Sequence, residues 1–215
     1  MTTDAVQCWS CEKERAGTDA LCPHCGKVQP PRAFAAGADR VIDKFAVLGL
    51  PRLFDLHLTR VEETFKSLSR KLHPDRFARA LPNERRFSLE QTTLLNDAYR
   101  TLKEPVRRAE HLLELRGVRV GEGSKIEMGP EFLEQAMDDR EKLLNAKAEG
   151  GDKVEALAAG VRKKRDETMT NIAQALRALE SGDKPPELGS LAQKLAQLRY
   201  YARYLDEVEG RPPEL

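Results

Sequence analysis

Aromatic side chains are scarce in this chain. They make up 6% of its 215 residues, with a single tryptophan, and no apolar run approaches the ~18 residues of a membrane span. The first shortage suits a helical globular protein better than a β-sandwich. The second excludes helical insertion into a bilayer. The opening Met1-Thr2-Thr3-Asp4 has neither the basic and apolar regions of a secretory signal nor an Arg-rich presequence, so a cytoplasmic location is expected. An excess of one charge is missing too: 36 basic and 35 acidic residues give a net charge of +1, which predicts no bulk attraction to nucleic acid or membrane. The chain has no phosphate-cradling glycine loop and no cysteine beyond residue 25.

What is present begins with those cysteines. Cys8, Cys11, Cys22 and Cys25 are spaced C-x2-C, ten residues, C-x2-C. Each pair turns two thiolates towards one point, and two such knuckles complete a tetrahedron suited to structural Zn2+, with iron as the alternative. Roughly 30 residues with Trp9 as the one large aromatic bury too little to fold alone, whereas a structural metal supplies on the order of 10 kcal/mol. Gly17 and Gly26 fit tight knuckle turns, and His24 is expected to face solvent. Residues 1–30 therefore read as a metal-binding module. Residues 31–40, with their Ala/Gly run, read as a linker.

Residues 41–117 carry a net charge of +4 and residues 118–215 a net charge of −3. In the basic segment, Val61, Phe65, Leu68 and Leu72 make one helical face, and Phe87, Leu94, Leu95, Ala98, Tyr99 and Leu102 make a second. Two such helices pair as an antiparallel hairpin, and Pro74 places His73, Pro74 and Asp75 in the loop at its tip. A short leading helix is expected over Val41–Leu48, a capping box at Thr59 and Glu62, and a cap at Asn83. Arg60, Lys66, Arg70 and Lys71 lie mostly off the apolar stripe; charge alone reads as a solvated helix face, and the adjoining polar loop shifts the reading towards a docking surface for an acidic partner. His73 and Asp75, separated by a proline and without a nucleophile nearby, do not make a catalytic pair.

Three more amphipathic patterns follow. Leu133, Ala136, Met137, Leu144 and Ala148 make one face; Val154 to Leu179 carries a longer one; Leu188 to Val208 carries the third. Glycine-rich breaks separate them, which predicts an antiparallel three-helix bundle over residues 118–212 whose apolar residues are core first. The fold class is all-α: a helical hairpin, a C-terminal bundle and a small N-terminal zinc knuckle.

The order of helix, basic face, His73-Pro74-Asp75 and a second helix closing on Asn96-Asp97-Ala98-Tyr99-Arg100-Thr101-Leu102 resembles a J-domain, and Phe45–Leu50 resembles its opening motif. That resemblance implies an activator of DnaK-type ATPases. His73, Pro74 and Asp75 would touch the chaperone, Arg60, Lys66, Arg70 and Lys71 would dock it, and the ATPase chemistry would belong to the partner, so the chain itself is not expected to be an enzyme. The Gly/Phe-rich stretch of general J-proteins is not present. Instead Phe132–Glu141 and Arg203-Tyr204-Leu205-Asp206 resemble the HscB family, the J-domain co-chaperones of iron–sulfur cluster assembly, over residues 41–209. This resemblance implies an IscU-like scaffold protein held by Leu133, Met137, Asp138, Glu141 and Tyr204, and an HscA/DnaK-type chaperone as second partner. Glu134 stands where the family commonly has an apolar contact. The alternatives are a general J-domain co-chaperone for unfolded clients, a zinc-knuckle nucleic-acid binder, which the zero net charge of residues 1–40 disfavours, and a redox or metal-sensing enzyme.

Overall fold

The structure, a computed structural model, describes residues 5–31, 41–120, 126–149, 151–182 and 187–211. Nearly all of the expected linker lies outside the described residues. The chain forms two compact units, Met1–Gly117 and Val118–Leu215.

The first unit opens with two short strands, β1 (Ala5–Gln7) and β2 (Glu14–Ala16), paired antiparallel with Val6 opposite Arg15. Three-residue strands leave no alternating pattern in the sequence, and none was expected here. They frame the first knuckle. The Cys8 N–H donates to Lys13 O, and the Glu12 N–H donates back to Cys8 O. The second knuckle repeats the pattern, with Cys22 N–H to Lys27 O and Gly26 N–H to Cys22 O. Glu12 and Gly26 hold the same left-handed position, at φ 59° and 72°.

Helix α1 (Lys44–Val47) is shorter than the expected span. Asp43 sets its start by accepting the N–H groups of Phe45 and Ala46 at 2.9 and 3.2 Å. Helix α2 (Leu58–Leu72) begins at His57 without a side-chain cap, so the Thr59–Glu62 capping box does not form. Glu62 turns forward and pairs with Lys66 at 2.7 Å. A short 3-10 helix (Pro74–Phe77) makes the tip. Helix α3 (Pro82–Lys103) starts with Pro82 in its first turn and Leu81 at the cap position, which leaves Asn83 inside the helix rather than capping it. A separate helix α4 (Pro105–Glu114) follows, because Glu104 accepts the N–H groups of Val106 and Arg107 and Pro105 cannot continue α3. Phe65 and Tyr99 stack at 4.2 Å across the hairpin, above a core that includes Val61, Leu72, Leu95 and Leu102. Lys44 pins α1 to α3 through Thr101 Oγ1 at 2.9 Å and Asp97 at 3.1 Å. His111 is buried on α4. Its Nε2 accepts the Lys44 N–H at 3.0 Å, and its ring stacks on Phe45.

The second unit is the three-helix bundle of α5 (Pro130–Glu149), α6 (Gly151–Ser181) and α7 (Leu188–Glu209), with α6 packed on both neighbours. Leu143, Ile172, Leu176, Leu191 and Leu195 are its most deeply buried side chains, each contributing about 1.5–3 kcal/mol. On α5 the core face differs from the expected one. Asp139, Leu143 and Ala146 are buried and Phe132 and Ala136 half-buried, whereas Leu133, Met137, Leu144 and Ala148 are exposed. The helix carries two apolar series at helical spacing, and the bundle takes the one that begins at Phe132. Among the described residues no helix is long and apolar enough to cross a membrane.

Candidate metal centre and interaction surfaces

The two knuckles bring the four cysteine Sγ atoms within 4.8 Å of one another. Cys8 and Cys25 are 3.7 Å apart, as are Cys11 and Cys22, and all four are free thiols. Two N–H donors point at the Cys8 sulfur, from Ser10 at 3.4 Å and from the buried Gln29 side chain at 3.3 Å. Burial pushes the Cys8 thiol up, but backbone N–H donors at Cys11 and Ser10 outweigh it and bring it down to about 6. At Cys25 the Lys27 amide pulls the other way from partial desolvation and the neighbouring thiols, which push it up to about 12. Bare thiols so close cannot all ionise near neutral pH. A divalent cation removes that limit, and four soft donors with amide support fit one. His24 is exposed, with its Nε2 3.0 Å from Glu14 O and no role among the four donors.

At the far end of α2 the His73 and Asp75 side chains are 53% and 89% exposed. The Asp75 N–H donates to His73 Nδ1 at 3.3 Å. The Asp75 carboxylate approaches the same ring atom at 3.5 Å with most of its surface left open. The carboxylate is therefore presented to solvent. Two α3 hydroxyls hold the base of the tip: Ser88 Oγ and Thr92 Oγ1 donate to Leu72 O at 2.6 and 3.2 Å. Sequence reasoning missed this support, because a hydroxyl on a helix looks the same whether it faces water or a carbonyl sixteen residues away.

Arg60, Lys66, Arg70 and Lys71 are all exposed along α2. Lys66 differs from the others. Its bond to Glu62 raises the ammonium above its usual value and tempers its charge within the helix.

On α5, Leu133, Met137 and Leu144 are 50%, 74% and 57% exposed and follow one another at steps of four and seven. Asp138 and Glu141 are exposed beside them. Leu144 belongs to this stripe although periodicity assigned it to the core. Tyr204 goes the other way. It is 4% exposed, with its hydroxyl buried and without a hydrogen-bond partner, so it lies beneath the stripe rather than on the surface expected for it. It joins a cluster in which Phe132 meets Tyr200 and Tyr201 edge to face at 5.4 and 6.0 Å. Burial, with Asp139 nearby, pushes the Tyr200 phenol up to about 12, and the protonated group donates to Ala136 O at 2.8 Å. The cluster clamps the first half of α5 to α7.

The bundle matches the family model described as the HscB C-terminal oligomerisation domain over residues 128–209. Over 210 residues the chain is 33% identical to the iron–sulfur cluster co-chaperone protein HscB of Mus musculus, covering 95% of this chain and 82% of that one. The chain belongs to the HscB co-chaperone family. The HscB homologue of Paraburkholderia phymatum is 33% identical across 76% of this chain and 90% of its own. Among solved structures, human HscB superposes with a TM-score of 0.78 at 27% identity over 95% of this chain and 97% of that one. HscB from Vibrio cholerae gives 0.64 at 31% identity over 78% and 96%. As a member of that family, this chain is one of the co-chaperones of iron–sulfur cluster assembly, and its helical fold is that of its solved relatives; the tetracysteine cluster is a feature of its own N-terminus.

Proposed function

We propose that this chain is a non-enzymatic, cytoplasmic co-chaperone that holds an IscU-like scaffold on α5 and stimulates the ATPase of an HscA/DnaK-type chaperone. The observation that carries the reading is the outer face of α5, where Leu133, Met137 and Leu144 stay open to water although the same helix has a complete core face. Exposed apolar residues at helical spacing, flanked by Asp138 and Glu141, suit a client with apolar anchors and a basic rim. The exposed carboxylate of Asp75, above the basic side of α2, suits the second contact. Binding of the chaperone in one nucleotide state better than in the other is enough to drive its cycle, so the chain needs no reactive group of its own. Structural Zn2+ in the Cys8, Cys11, Cys22, Cys25 site completes the reading: it would supply a charge that four crowded thiols require, and no step of the cycle passes through it.

Two measurements test this. In a steady-state ATPase assay with an HscA-type chaperone, the wild-type chain accelerates hydrolysis and Asp75→Asn returns it to the unstimulated rate. In a pull-down with IscU, the triple variant Leu133→Ala/Met137→Ala/Leu144→Ala loses binding. Stimulation that survives Asp75→Asn, or undiminished capture by the triple variant, overturns the corresponding half. The description of the family model as an oligomerisation domain favours a second reading, in which the stripe pairs two copies of the chain. A dimer that dissociates in the triple variant, seen by sedimentation, would establish it.

A further inference from the structure

We infer that the tetracysteine module is an internal brace for the J-domain, so that metal occupancy controls the order of α3 and of the 73–75 tip. The inference rests on the proposal that the four cysteines hold a metal ion. Three contacts fasten the module to one face of α3. Trp9 meets Phe87 edge to face at 5.9 Å, Lys27 Nζ lies 2.7 Å from Glu84 Oε2, and Gln91 Nε2 donates to Gln29 O at 3.0 Å. Glu84, Phe87 and Gln91 are spaced by three and four residues and so form a single row. The Glu84 side chain is 5% exposed, so Lys27 compensates a carboxylate that water barely reaches.

Gln29 links this seam to the metal site directly. It is fully buried, its side-chain amide donates to Cys8 Sγ and to Lys27 O, and its own carbonyl accepts the α3 bond. Trp9 Nε1 donates to Val28 O at 2.7 Å, which ties the first knuckle to the second at the same seam. Among the described residues of the module Cys8, Cys22 and Val28 are the buried apolar ones, too few to keep this shape when the thiols lose their cation.

The effect reaches the tip through the next row of α3. Ser88 and Thr92, each one residue on from a seam residue, hold the Leu72 carbonyl from which the tip departs. The loop between the knuckles also lies against the end of α2, where Gly17, Thr18 and Ala20 share a small cavity of about 30 Å3 with Leu68, Leu72 and Gln91. Releasing the module therefore frees both helices just behind the 73–75 tip. By linkage the coupling runs both ways: α3 residues that touch no cysteine must strengthen metal retention.

The test uses the full chain loaded with Zn2+. Metal content is measured first, and a chain that retains no zinc overturns the metal site itself and the brace with it. With one zinc bound, amide hydrogen exchange is compared before and after chelation. Exchange should quicken at least tenfold across residues 70–78 and 82–95 and stay unchanged in α5–α7, which serve as an internal standard. Glu84→Gln/Gln91→Leu, which leaves every cysteine in place, should give up zinc to a competing chelator at a severalfold lower chelator concentration than wild type. Thr93→Ala, at an exposed position on the face of α3 opposite the seam, should not. Zinc-loaded and chelated chains with equal exchange at 70–95, or a seam variant that retains zinc as the wild type does, would overturn the brace while leaving the metal site standing.

Discussion

The 73–75 tip and the outer stripe of α5 both face water, and they are kept there by different means. At the tip a proline interrupts the chain, a 3-10 turn follows, and two hydroxyls from the neighbouring helix fix the last carbonyl of α2. Polar side chains at such a loop have nowhere else to go, so their exposure costs nothing. On α5 the exposed residues are apolar and sit within a regular helix, where hydrophobic transfer alone would turn them inward. They stay outside because a second apolar row, with Phe132 locked among tyrosines of α7, already occupies the interior. Loop chemistry places the first region; competition between two faces of one helix places the second.

Neighbouring residues on α5 offer the strongest way to break that comparison. Leu143→Ala should cost about 2–5 kcal/mol, read as a lowered midpoint of bundle unfolding, because it opens a cavity in the core. Leu144→Ala, one residue on, should leave the midpoint within about 0.5 kcal/mol. Equal costs would mean that the stripe is not free surface. At the tip, Ser88→Ala/Thr92→Val strips both donors from a buried carbonyl. It should lower J-domain stability by about 1–3 kcal/mol in denaturant titration and reduce ATPase stimulation with it. The stability change of Leu144→Ala is small, but its binding change is not: calorimetry with the scaffold should show about 1–2 kcal/mol lost, roughly a tenfold weaker complex.

The smallest effect separates the two units by pH. All four histidines precede residue 117. Burial lowers the His111 pKa below its ordinary 6.5, although the Glu114 carboxylate acts against that. The folded unit therefore takes up this proton less readily than the unfolded chain does. The stabilisation is complete above about 6.5 and is lost as pH falls through that value towards the folded pKa. The J-domain unit should become easier to unfold between pH 7 and pH 5.5, with a shallower slope in His111→Gln.

The same contrast explains what could be read from the residues in order. The hairpin, the tip and the cysteine cluster are local patterns, and each stands where its spacing placed it. The three bundle helices were legible for the same reason, but their rotation was not. Leu133 and Phe132 are equally apolar candidates for the core, and only the partners on α7 decide between them. Tyr204, expected on the scaffold-binding surface from the family resemblance alone, is instead buried in the cluster that Tyr200 shares with Phe132. The caps at Thr59 and Asn83 failed because neighbouring residues had better uses: Glu62 prefers Lys66, and Pro82 takes the first turn itself. The seam from Lys27 to Glu84 spans 57 positions and leaves no periodic trace.

The open row at Leu133, Met137 and Leu144 also bears on how the free protein is handled. A molecule with that much grease on a rigid rod is less soluble alone than with its cargo seated. Production in excess of the cargo should therefore lead to clumping, and co-expression of the two should relieve it.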